Sequence, residues 1–71
     1  MTIKEIDENI GKLILVRFKS DRNDQIATLR IESRDSLKGQ GTKIYGTEYY
    51  NGESMDGAWS RLDITFVSLA N

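Results

Sequence analysis

Lys12-Leu13-Ile14-Leu15-Val16-Arg17-Phe18-Lys19 is the stretch on which the fold turns. Four branched apolar residues in a row, followed by a phenylalanine, make it the most water-averse run of the chain. A run this short and this rich in branched side chains is a buried strand rather than a helix. The other segments can then be placed by how they cover it.

On its N-terminal side, Thr2-Ile3-Lys4-Glu5 has capping-box spacing: the Thr2 hydroxyl can accept from the Glu5 amide while the Glu5 carboxylate reaches back. Ile3, Ile6 and Ile10 fall on one helical stripe and Glu5, Asp7 and Glu8 load acid toward the N-terminal end. Gly11 can take the left-handed conformation that stops a helix. Residues 1–11 are therefore expected to form a short helix, and 12–71 a sheet or barrel.

On its C-terminal side, Asp21-Arg22-Asn23-Asp24 is a polar turn. If the loop takes those four residues, partner numbers on the two strands sum to 45. Ile14, Val16 and Phe18 then lie opposite Ile31, Leu29 and Ala27 on a core face. Leu15, Arg17 and Lys19 lie opposite Arg30, Thr28 and Ile26 on a mixed face. Asp21, Asn23 and Asp24 resemble part of a calcium loop, but the other ligand positions and the mid-loop glycine are absent.

Arg34 to Gly41 reads as a polar loop, with Leu37 folded back as an anchor and Gly39-Gln40-Gly41 as a tight turn. A dinucleotide fingerprint would need a third glycine where Ile44 stands. Thr42–Tyr50 is a third strand. With Ile44 inward, Tyr45 and Tyr49 face outward beside Lys43, and Gly46 marks a bend or a close approach of another group to the backbone. Asn51-Gly52 is a hairpin signal, but the irregular composition through Ala58 predicts a long loop in which Met55 and Trp59 offer contact surface. Ser60–Leu69 alternates as a last strand, with Leu62, Ile64 and Phe66 inward.

The expected architecture is mainly β: a small antiparallel sheet or an SH3-like or Sm-like barrel, with a short N-terminal helix. Seventy-one residues make a single domain near the size at which one core only just offsets chain entropy. Without cysteine there are no disulfides, and without histidine as well a transition-metal site is disfavoured, so self-association is the remaining way to reinforce the fold. Absence of a leader or of a long apolar run points to the cytoplasm and to no membrane contact.

Catalysis is not expected. Acid–base work would fall to carboxylates, lysines or tyrosines, and the spacing of Glu48, Asp56 and Asp63 does not require a carboxylate pair. No cofactor is implied. The net charge is -1, with only the middle third leaning basic, which is too little to indicate nucleic acid by itself. The expectation is a non-catalytic binding protein: an oligomeric accessory, inhibitor or regulatory protein of bacterial or phage kind, beginning at its own Met1 and acting through protein–protein contact. Candidate contact residues are Arg17, Lys19, Arg30, Lys43, Tyr45, Tyr49, Trp59 and Arg61. Two other readings stay open. One is a sponge for a small anionic, nucleotide-like ligand, with a pocket between subunits. The other is a nucleic-acid-binding small barrel with Tyr45 and Tyr49 as stacking rings.

Overall fold

The computed structural model describes residues 1–37, 39 and 41–70, Leu37 by its backbone alone. One short helix, α1 (Ile3–Asn9), precedes five strands: β1 (Leu13–Phe18), β2 (Ile26–Leu37), β3 (Gly41–Tyr50), β4 (Glu53–Ser60) and β5 (Ile64–Leu69). A 3₁₀ turn over Arg61–Asp63 separates the last two. All neighbouring strands pair antiparallel in the order β4-β3-β2-β1-β5, so the apolar run of β1 is flanked on both sides. No helix among the described residues is long and apolar enough to cross a membrane.

The helix begins as its sequence directs. Glu5 donates its amide to Thr2 Oγ1 at 3.1 Å, and Thr2 donates its own to Glu5 Oε1 at 2.9 Å. Ile6 is fully buried. Gly11 has a positive φ and donates its amide to the Ile31 carbonyl, which ties the helix exit to β2.

The core is one cluster of Ile6, Ile14, Val16, Ala27, Leu29, Ile31, Ile44 and Ile64, with Met1, Phe18, Trp59 and Phe66 packed at its margin. Trp59 also reveals the shape of the sheet. It sits on β4, three strands from Phe18 on β1, a separation of about 14 Å in a flat sheet. The two ring centroids are 5.8 Å apart, so the sheet curls until its inner face meets itself.

Two irregularities interrupt the ladders. Glu32 bulges out of the β2–β3 ladder, where Ile31 pairs with Gly46 and Ser33 with Tyr45; Val67 bulges out of β5 between Phe66 and Ser68. At the first bulge the strands approach closely: a Cβ on Gly46 would lie 2.1 Å from the Arg30 carbonyl oxygen. Glycine is required there by close approach, as its place inside a strand suggests.

Four expectations are corrected. Partners on β1 and β2 sum to 43, Ile14 opposite Leu29 and Val16 opposite Ala27. The connecting loop is longer because Asp21 caps a double turn, accepting from the Asn23 amide with its side chain and from the Asp24 amide with its carbonyl. A slip of two residues keeps every side chain on its face, so the assignment of core and outer residues survives. Arg34–Leu37 continues β2 instead of forming a loop, paired with Gly41–Ile44. Gly39 and Gly41 both take positive φ, while Gln40 and the Leu37 side chain lie outside the described residues.

Residues 53–60 are likewise a strand. Asn51 and Gly52 both have positive φ, the two-residue turn that closes a hairpin tightly, and no long loop follows. β4 escaped detection because it is an edge strand with little to bury, its composition set by the ladder to β3 and by solvent. Leu62 falls in the 3₁₀ turn, not on a strand, and is 62% exposed.

Candidate functional site

Antiparallel register places the outer face of the sheet row by row. Leu15, Thr28, Tyr49 and Ser54 lie in one line across β1 to β4; Leu13, Arg30, Thr47 and Asp56 form the next; Arg17 and Ile26 pair on the other side. Toward the end of the sheet where β2 begins is an apolar patch in which Ile26 is 46% and Tyr49 39% exposed, with Leu15 half-buried beside them. Arg17 and Arg30 border the patch. Lys43 and the half-buried Tyr45 extend the same face along β3.

The cations of this region are partly engaged. Arg17 Nε is 3.8 Å from Asp24 Oδ1, and Arg30 donates to the Gly11 carbonyl at 3.1 Å. Next to Arg30, the Thr47 hydroxyl lies 2.7 Å from Asp56 Oδ1 and 3.2 Å from Glu32 Oε1. One proton serves both contacts, and the shorter one to Asp56 takes it. Acid is therefore interleaved with base across the face.

The remaining candidates lie elsewhere. Trp59 belongs to the inner face, tilted against Phe18 with 42° between the ring planes, and cannot line a surface with Tyr45 and Tyr49 of the same chain. Lys19 and Arg61 share a solvent-open depression beside Met1 and Glu5 at the helix end. Arg61 donates to the Met1 carbonyl at 3.2 Å; the Met1 amino group donates to the Arg61 and Ile64 carbonyls, and burial lowers its pKa. Register thus unites Arg17, Arg30, Lys43, Tyr45 and Tyr49 and separates Lys19, Trp59 and Arg61 from them.

Sequence reasoning passed over Ile26 and Leu15 as contact residues. The signal was there: both are large and apolar on a strand parity they share with Leu13, Arg17, Thr28 and Arg30.

At the far end of the curl, Asp21, Glu48 and Tyr50 line a second open groove, where Tyr50 donates its hydroxyl to Gln25 Oε1 at 3.0 Å. Where α1 meets β2, Arg34 Nε binds Asp7 Oδ1 at 2.6 Å and Nη2 binds Oδ2 at 3.2 Å; the bidentate pair lowers the Asp7 pKa and raises that of Arg34. Arg34 also donates to Ser36, whose hydroxyl meets that of Thr42. Among the described residues no three acidic side chains converge as a metal site would require. No protein-family model matches the chain, and no curated protein or solved structure is significantly similar to it.

Proposed function

We propose that this chain is a non-catalytic binding protein, an oligomeric accessory, inhibitor or regulatory protein that works by covering a surface of another protein. The observation that carries this reading is the exposed patch of Ile26 and Tyr49 on the outer face, near the end where β2 begins, bordered by Arg17 and Arg30. Exposed aromatic and aliphatic side chains flanked by arginines have the make-up of a protein contact.

A second reading, an oligonucleotide laid over the same face, draws on the register that puts Tyr49 on one face with Arg17 and Arg30. The interleaved acids Asp24, Glu32 and Asp56 weigh against it, because a polyanion would have to compete with them for the arginines.

The test is affinity capture with the tagged chain, run in parallel with the double variant Ile26→Lys/Tyr49→Ala. A specific protein should be retained by the wild type and weakened at least ~30-fold by the double variant, as loss of about 2 kcal/mol at a contact centre implies. Equal retention by both chains, or no reproducible partner, overturns the reading. A salt-sensitive gel shift with oligonucleotides would establish the second reading instead.

A further inference from the structure

The sheet ends in two unpaired edges. Among the described residues no strand pairs with the outer side of β4 or the outer side of β5, eight and six residues long, and only the Ile64 carbonyl at the start of β5 is taken, by the Met1 amino group. Each therefore presents a row of backbone donors and acceptors to which another strand can add.

Natural edges are blunted by lysine, by proline or by a covering element. The chain has no proline, and neither Glu53–Ser60 nor Ile64–Leu69 contains a lysine or arginine. β5 carries no charge at all; its one irregularity is the Val67 bulge. Both edges also expose apolar side chains: Met55 is 69% exposed on β4, and Val67 and Leu69 are 37% and 50% exposed on β5.

Covering both edges decides how they combine. Pairing β4 with β4 of a second copy would leave both β5 edges, with Val67 and Leu69, open. Pairing β5 with β5 would leave both β4 edges, and Met55, open. A single kind of contact covers both edges only in the unlike combination, which also sets the acids of β4 against a strand with none.

We infer that the chain assembles head to tail with itself, the free edge of β5 in one copy adding to the free edge of β4 in the next. Such a contact is heterologous, so it closes into a ring or continues as a filament according to the rotation between copies. The inference rests on the self-association in the functional reading above and names the surfaces that carry it.

Proline at an outward-facing amide blocks an edge without removing a bond inside the sheet. In a two-residue hairpin the flanking pair, here Tyr50 and Glu53, exchanges both ladder bonds, and every second pair does so after it. The Ala58 amide therefore points out of the sheet. Ala70 donates to the Leu13 carbonyl, so the Leu69 amide also points away from β1. Ala58→Pro closes the β4 edge and Leu69→Pro closes the β5 edge. Met55→Lys and Val67→Lys replace them if circular dichroism shows that either proline variant has not folded.

Native mass spectrometry is the readout. The wild type should give a multimer, each folded single variant should fall to the 8.1 kDa of one chain, and an equal mixture of the two variants should recover a species of twice that mass and no larger. The mixture restores one intact contact and stops there, which no two-fold contact would do. A folded single variant that keeps the wild-type mass, or a mixture that stays monomeric, overturns the edge assignment while leaving partner capture intact. A monomeric wild type overturns self-assembly altogether.

Discussion

Replacing Gly46 by alanine adds one methyl group where β2 and β3 come closest. That carbon would lie 2.1 Å from the Arg30 carbonyl oxygen, 3.1 Å from its carbonyl carbon and 3.3 Å from Ile31 Cα. All three obstacles are backbone, so no side-chain rotation relieves the clash. Restoring contact distance moves one strand by about 1 Å, enough to break ladder bonds whose N···O distances sit near 2.9–3.0 Å.

Two such bonds at about 1 kcal/mol each, and a further 1–3 kcal/mol for a buried group left without a partner, give a loss of about 3–5 kcal/mol. For a domain of this size each kcal/mol lowers Tm by roughly 4–8 °C, so Gly46→Ala should melt at least ~12 °C below the wild type. Thermal unfolding followed by circular dichroism measures this. Gly52→Ala is the control: φ is +79° there but nothing lies within 4 Å, so only left-handed strain of about 1–2 kcal/mol is added. A Gly46→Ala chain that melts within ~4 °C of the wild type, or above Gly52→Ala, refutes the close-approach argument.

Trp59→Ala removes the ring that meets Phe18 and lines the core, which should cost about 3 kcal/mol, less than full burial would imply because Trp59 is only half-buried. Chemical denaturation measures the loss, and because Trp59 is the sole tryptophan its fluorescence in the wild type should change in the same transition as the far-ultraviolet signal. Two separate transitions would show that the curl opens independently of the sheet. Asp7→Asn should lower Tm at neutral pH by breaking the bidentate pair with Arg34. The Asp7 pKa is lower folded than unfolded, so its contribution is present above the unfolded value and lost as pH falls through the folded one. The gap between the wild-type and Asp7→Asn melting curves should therefore start to narrow near about pH 4 and close only below the lowered folded pKa, and a gap that persists at the acid end would assign the effect to packing.

Much of this architecture is written locally in the chain. The capping box at Thr2 and Glu5, the branched run of β1 and the glycine at position 46 each announce their structure through nearby residues and the physics of caps, burial and close approach. β4 does not, because Glu53–Ala58 owes its strand conformation to β3, and an exposed edge selects few residue types. The polar stretch Arg34–Leu37 reads as loop for the same reason. Its ladder is anchored by Arg34 reaching Asp7 on the helix and by Ser36 reaching Thr42, contacts between segments that no local pattern records. The outer-face candidates followed strand parity and stayed together; Trp59 did not, since the sheet, bulged at Glu32 between β2 and β3, curls to bring it to Phe18. A bulge inserts one unpaired residue and leaves no regular mark on hydrophobic alternation.

The pairing of β1 with β5 also sets an order of events. Val16 meets Ala27 on one side after a short loop, but on the other side it meets Phe66, fifty positions along the chain. Closing so long a loop is the slow part of β folding. During synthesis at about 5–20 residues per second, the most apolar strand waits seconds with one flank bare before its partner leaves the ribosome. For that interval the nascent chain displays at Leu13–Phe18 the same kind of open edge that the finished fold keeps at β5.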